Sequence, residues 1–115
     1  IVKPEEGLST KEVYEHFSSF SNVRVDTNNV IKGLNEGDDD LIAKSIGNDL
    51  MKPAVSLLPV VGDIYSSLIG DGFKIVSMSG SGSSLFALST DLKKCKEAQR
   101  KYEKKGYISV LTKTL

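Results

Sequence analysis

A short segment rich in glycine and serine, with apolar residues on both sides, is the part of the chain best suited to bind a ligand. It consists of Ser79, Gly80, Ser81, Gly82, Ser83 and Ser84. Glycine allows a backbone with positive φ and lets another group approach closely. Consecutive amides in such a turn can point in one direction and bind an anion, and serine hydroxyls provide further donors. The segment therefore predicts a loop that contacts a ligand, with phosphate the favoured chemistry.

Two established phosphate motifs do not fit this loop. A dinucleotide fingerprint needs a third glycine at the position of Leu85, and a Walker A loop needs a lysine directly after a glycine. A flexible connector is the alternative interpretation, although the segment is short and both neighbouring runs are apolar. A phosphate loop at this place would belong to another class.

The other residues that could carry chemistry favour structural roles. His16 is the only histidine, lies far from the loop in sequence, and without a second histidine there is no zinc pattern. Cys95 falls on the apolar stripe of a helix, which favours an inert thiol over a nucleophile. The aspartates at positions 38–40 open a helix, where carboxylates complement the helix dipole, and this outweighs a metal site. We therefore expect neither a catalytic residue nor a metal site within the chain.

Composition sets the outer limits. The 115 residues suit one domain, and the apolar fraction of 39% and charged fraction of 26% are ordinary. A formal net charge of zero argues against a nucleic-acid binder. The single cysteine excludes an internal disulfide and suits a reducing compartment. No apolar run approaches the roughly 20 residues that span a bilayer, so no membrane partner is expected.

Four strands should position the loop, over residues 1–3, 73–77, 85–88 and 107–112. Residues 9–12 form a capping box that opens a helix burying Val13, Tyr14 and Phe17. Residues 18–29 are loop-like. Residues 30–34 fit a short helix that ends near Gly37, and a second helix starts at 38–40. Because the chain opens on what resembles the middle of a strand, we expect it to be a piece of a longer protein.

Two longer helical regions complete the prediction. In residues 48–70 apolar side chains recur at helical spacing, with Asn48 or Asp49 as cap and a break at Pro59. Asp91 caps a last helix that runs to about residue 105. Its buried stripe consists of Leu92, Cys95, Ala98 and Tyr102. The basic opposite face is typical of a solvated helix surface, with an oligomerisation surface as a weaker alternative.

The predicted order is β-α-β-β-α-β with extra helices after the first strand. This order is typical of an α+β fold with a four-stranded antiparallel sheet and helices on one face, as in ferredoxin-like domains. The glycine-serine loop then joins the two strands in the middle of the sequence.

Three segments resemble the GHMP small-molecule kinases, the family of galactokinase and of homoserine, mevalonate and phosphomevalonate kinases. Residues 76–88 read Val-Ser-Met-Ser-Gly-Ser-Gly-Ser-Ser-Leu-Phe-Ala-Leu and are similar to the family's third conserved motif. Residues 2–14 and residues 48–59 resemble segments of the C-terminal half of the members that act on 4-diphosphocytidyl-2-C-methyl-D-erythritol. The three segments occur in the family's order and span most of the chain.

The resemblance implies that residues 1–115 form a single domain, the C-terminal domain of a kinase. Such kinases transfer the γ-phosphoryl group of ATP to an alcohol, here in non-mevalonate isoprenoid biosynthesis in the cytoplasm or a plastid. It also implies that the N-terminal half of the same kinase is the partner. That half carries the catalytic residues and binds most of the ATP and Mg, so the fragment alone is inactive. Residues 79–84 would lie against the cleft, with amides near Gly80 and Gly82 stabilising charge.

Two further interpretations stay open from the sequence. The substrate could be that of another family member of the homoserine or mevalonate type. The chain could also be a stand-alone module that binds an anion or small ligand at residues 79–84.

Overall fold

The computed structural model describes residues 1–17 and 25–114, which form four strands and six helices. The strands are β1 (Val2–Lys3), β2 (Ile75–Met78), β3 (Leu85–Leu88) and β4 (Ile108–Ser109). The helices are α1 (Thr10–Phe17), α2 (Thr27–Glu36), α3 (Asp39–Ser45), α4 (Met51–Leu57), α5 (Val60–Gly70) and α6 (Leu92–Lys104). This order agrees with the predicted β-α-β-β-α-β pattern with extra helices.

The four strands form one antiparallel sheet in the order β2-β3-β1-β4. In the hairpin of β2 and β3, Met78 lies opposite Leu85 and Ile75 opposite Leu88. The predicted α+β class with a four-stranded antiparallel sheet is therefore confirmed. Residues 79–84 close the hairpin, so the register of its two strands fixes where both ends of the loop lie.

One apolar core lies between the sheet and the helices. Val76 and Met78 of β2 and Leu85 of β3 belong to it, together with Val13 of α1 and Tyr102 of α6. Successive residues of a strand point to opposite faces. Because all four residues of β2 are buried, and α3 also contacts β2, both faces of this strand are covered. The strand that leads into the loop is thus packed on both of its faces.

Most helix boundaries follow the predicted signals. Gly37 ends α2 in a left-handed conformation with φ of 67°. Asp38 and Asp91 accept hydrogen bonds from the third amides of α3 and α6, as N-caps do. Pro59 separates α4 from α5, and the chain bends by 119° between these two helices. Local backbone chemistry at glycine, aspartate and proline therefore sets these ends.

Several boundary predictions are wrong, and β2 is Ile75–Met78 in place of the predicted residues 73–77. α2 begins at Thr27, because Asp26 accepts a hydrogen bond from the Asn29 amide, so the loop predicted over 18–29 ends earlier. Residues 18–24 of that predicted loop lie outside the described part of the chain. Leu50, which makes no side-chain cap, precedes α4 in place of the expected Asn48 or Asp49. β4 covers two residues of the six predicted, since only Ile108 and Ser109 pair with β1.

Two predicted core residues are exposed. Tyr14 is 58% exposed because α1 turns Val13, which is 0% exposed, toward the core. Leu92 at the start of α6 is likewise 58% exposed, whereas Tyr102 near its end is fully buried. Among the described residues no single helix is long and apolar enough to cross a membrane. α4 and α5 reach the required length and apolar composition only when taken together, and they are bent at their junction.

Candidate functional site

The glycine-serine loop is a closed turn with an accessible tip. The Ser79 amide donates to the Ser84 carbonyl at 2.8 Å, and the Gly82 amide donates to the Ser79 carbonyl at 3.0 Å. Ser79 and Gly80 are exposed, whereas Ser81 is half-buried. The loop therefore has internal bonds that fix its shape, and its first residues face solvent.

Two serines of the loop are tied to the segment that precedes α1 and to α1 itself. The hydroxyl of Ser83 is buried and donates to the carbonyl oxygen of Glu6 at 2.8 Å. The hydroxyls of Ser81 and Thr10 lie 3.0 Å apart, within hydrogen-bonding distance. Ser83 thus anchors the loop through a buried hydroxyl that is bonded to the Glu6 carbonyl, whereas Ser79 is exposed, and the sequence pattern does not show this difference.

Asn48 holds the other side of the loop, a role that the sequence analysis missed. Its Nδ2 donates to the carbonyl oxygen of Met78 at 2.8 Å and to that of Gly80 at 2.7 Å. Its Oδ1 accepts from the Leu50 amide at 2.9 Å. The one sequence feature that could have pointed to this role of Asn48 is the resemblance of residues 48–59 to a family segment. The helical pattern alone predicts only a helix cap at this position.

These bonds decide which amides the loop presents. Both peptide bonds of Gly80 are trans, and in a trans peptide the carbonyl and the following N–H point in opposite directions. The Ser79 carbonyl points to Gly82 and the Gly80 carbonyl to Asn48, so the Gly80 and Ser81 amides point away from these partners. Two consecutive amides at an exposed tip can form an anion-binding nest. The sequence analysis expected amides near Gly80 and Gly82 to stabilise charge on a ligand. The Gly82 amide instead donates to the Ser79 carbonyl inside the loop.

The two loop glycines are needed for different reasons. Gly80 has φ of 55° and open space where a Cβ would lie, so only its backbone conformation favours glycine. Gly82 has φ of 90°, and a Cβ there would lie 2.9 Å from Met78 Sδ and 3.1 Å from Leu8 Cδ1. Glycine at position 82 therefore lets the loop rest directly on the core.

Two grooves differ in their relation to the loop. One of about 560 Å³ lies beside Asn48, between α4, α5 and β2, and is lined in part by Lys52 and Tyr65. The other, of about 640 Å³, runs along β3 and residues 110–114, away from the loop tip. Of these two grooves, the first alone shares a residue with the loop's hydrogen-bond network.

The remaining candidate residues take part in packing contacts. His16 Nε2 and Ser56 Oγ lie 3.0 Å apart and connect α1 with α4. Cys95 is half-buried on α6. Within residues 1–17 and 25–114, no group of three or more His, Cys, Asp or Glu side chains could hold a metal ion.

A polar cluster with shifted pKa values lies where α5 and α6 meet. The Tyr102 hydroxyl donates to Asp71 Oδ2 at 2.7 Å and contacts Ser67 Oγ at 2.8 Å, and Lys101 pairs with the same carboxylate. Burial, the largest cause, and the hydrogen bond to Asp71 raise the pKa of Tyr102 to about 12. Burial raises the pKa of Asp71, but hydrogen bonds from Lys101 and Tyr102 outweigh it, and the net pKa is lowered. The cluster stabilises the core and lies outside the loop.

The fold and the loop together define a class: an α+β domain of ferredoxin-like strand order that presents a glycine-serine turn at the end of a hairpin. The model of the family described as GHMP kinases C terminal matches residues 30–108, more than half of the 115 residues. The chain therefore belongs to the GHMP kinase C-terminal family, and the resemblance seen in the sequence is confirmed.

Curated relatives are similar to this chain over part of their own length. A 4-diphosphocytidyl-2-C-methyl-D-erythritol kinase of Pelotomaculum thermopropionicum is 31% identical over 115 residues, covering 99% of this chain and 40% of that protein. The enzyme of the same name from Agrobacterium fabrum is 32% identical over 117 residues, covering 100% of this chain and 39% of that protein. The chain thus spans about two fifths of the length of these relatives.

A solved structure shares the fold. The crystal structure of a 4-(cytidine 5'-diphospho)-2C-methyl-D-erythritol kinase superposes with a TM-score of 0.72 at 23% sequence identity. The match covers 90% of this chain and 37% of that one. At this level of identity the likeness supports the fold assignment alone.

Proposed function

We propose that the chain is the C-terminal domain of an ATP-dependent kinase that phosphorylates 4-diphosphocytidyl-2-C-methyl-D-erythritol. In this proposal residues 1–115 act as one domain, and an N-terminal domain of the same protein completes the active site. The names of the relatives and the family membership support the proposed activity. The length of the relatives, more than twice that of this chain, supports the second domain.

The observation that carries the proposal is the exposed tip of residues 79–84. The bonded Ser79 and Gly80 carbonyls leave the Gly80 and Ser81 amides as donors at the end of the β2–β3 hairpin, in the segment that resembles the family's third conserved motif. Donors that are fixed before the reaction stabilise charge without reorganisation. The loop therefore contacts a phosphate at the cleft between the two domains.

ATP and Mg are assigned mainly to the N-terminal domain. The part of this chain that the structure describes fits a phosphate group better than a cation, because the loop tip offers amide donors. ATP supplies the phosphoryl group when bound. The residues of this chain bind and orient a phosphate and help to exclude water from the cleft.

Tyr14 extends this surface. It follows Thr10, the residue whose hydroxyl meets Ser81, by one turn of α1, and its ring is 58% exposed. An exposed aromatic ring can stack on a nucleobase. A cytosine base in the proposed substrate would give the exposed ring of Tyr14 a stacking partner.

A substrate-dependence assay of the full-length protein tests the proposal. ATP should be consumed with the diphosphocytidyl substrate and not with homoserine or mevalonate, and one phosphate should be added to the substrate. Turnover with homoserine or mevalonate instead would replace the proposed substrate by another of the family. Absence of phosphoryl transfer with all three, combined with tight anion binding at residues 79–84, would identify a ligand-binding module and reject the kinase proposal.

A further inference from the structure

We infer that Asn48 is a positioning residue for phosphoryl transfer, acting through the backbone of the glycine-serine loop. The inference rests on the proposed kinase function. Asn48 lies 32 positions before Gly80 in sequence, yet it makes two hydrogen bonds to the strand end and the loop tip. No ligand contact by Asn48 itself is needed.

The direction of these bonds gives the mechanism. Both hydrogens of the Asn48 amide are donated, one to the Met78 carbonyl and one to the Gly80 carbonyl. A fixed Gly80 carbonyl fixes the whole peptide unit to Ser81, since that unit is planar. The Ser81 amide hydrogen is thereby aimed away from Asn48, toward the side on which the proposed phosphate contact lies.

The side-chain oxygen of Asn48 makes a separate, local hydrogen bond. Its Oδ1 accepts from the Leu50 amide, two residues further along the chain, and so supports the entry into α4. The side-chain amide therefore links the start of α4 to the loop. A variant that keeps the oxygen and loses the NH2 group separates the two tasks.

Asn48→Asp is that variant, because aspartate has the same shape and retains the acceptor but cannot donate when ionised. In the full-length kinase we expect kcat to fall by about tenfold or more, as when one donor for transition-state charge is displaced. KM for ATP and for the diphosphocytidyl substrate should stay within about threefold, since ground-state binding uses other contacts. Asn28→Asp, the same change on the exposed surface of α2, should leave both parameters unaltered.

A second measurement does not depend on activity. In the folded Asn48→Asp protein, the NMR order parameters of the Gly80 and Ser81 amides should fall, while those of the amides in α6 stay constant. Asn48→Ala provides a second variant with the same expectation, should the new carboxylate prevent folding.

The outcomes separate the two proposals. An active wild-type kinase whose Asn48→Asp variant keeps its kcat, or whose loop order parameters are unchanged, overturns the role of Asn48 and leaves the kinase function standing. A wild-type protein without phosphoryl transfer rejects the kinase function, and the role in catalysis falls with it.

Discussion

Replacing Gly82 by alanine should destabilise the domain more than the same change at Gly80. Both residues have positive φ, 90° and 55° respectively, so each alanine incurs a backbone cost of about 1–2 kcal/mol. At position 82 the new Cβ would also approach Met78 Sδ to 2.9 Å and Leu8 Cδ1 to 3.1 Å. Overpacking of this kind costs about 1–3 kcal/mol in addition.

The free energy of unfolding should therefore fall by about 2–5 kcal/mol in Gly82→Ala and by about 1–2 kcal/mol in Gly80→Ala. Equilibrium unfolding in urea measures both values, and the alanine entropy effect on the unfolded chain cancels in the comparison. In the Leu8→Ala background, Gly82→Ala should cost less than in the wild-type background, because one of the two close contacts is gone. Equal losses in the two glycine variants would refute the claim that Gly82 rests against the core.

Three further predictions concern the polar cluster and the loop surface. The pKa of Tyr102 is raised to about 12 in the folded state. The contribution of Tyr102 to the free energy of unfolding should therefore be complete below pH about 10 and be lost as the pH rises to about 12. Tyrosinate absorbance should show a late step near pH 12 that Tyr102→Phe removes; persistence of the step would contradict the assignment. If the proposed kinase function holds, Gly80→Val should lower kcat of the full-length protein by about tenfold or more with the circular dichroism spectrum unchanged, whereas Gly80→Asn, which tolerates positive φ, should lose less. Tyr14→Ala should raise KM for the proposed diphosphocytidyl substrate by about tenfold, the value of one stacking contact, with Tyr14→Phe as the control that keeps the ring; an unchanged KM would exclude stacking.

The sequence predicted those features that depend on local chemistry. The apolar runs around residues 79–84 give β2 and β3, and Gly37, Pro59 and Asp91 end or begin helices through their own backbone preferences. The antiparallel four-stranded sheet then follows from the order of elements. These signals need no knowledge of which distant residues meet.

Features that depend on distant contacts were not predicted. Asn48 bonds to residues 30 and 32 positions away, and no pattern near Asn48 specifies such partners. The exposure of Tyr14 depends on which side of α1 meets the core, and the short helix carries both Val13 and Tyr14 as candidates. The use of the Gly82 amide inside the loop likewise depends on how the turn closes on Ser79.

A crystal structure of the full-length protein with a non-hydrolysable ATP analogue and the diphosphocytidyl substrate tests the central claim most directly. The account predicts a phosphate oxygen within about 3.2 Å of the Gly80 or Ser81 amide nitrogen, with Asn48 still bonded to the Gly80 carbonyl. A loop tip that faces bulk solvent, with every phosphate oxygen beyond hydrogen-bonding reach of both amides, would contradict it.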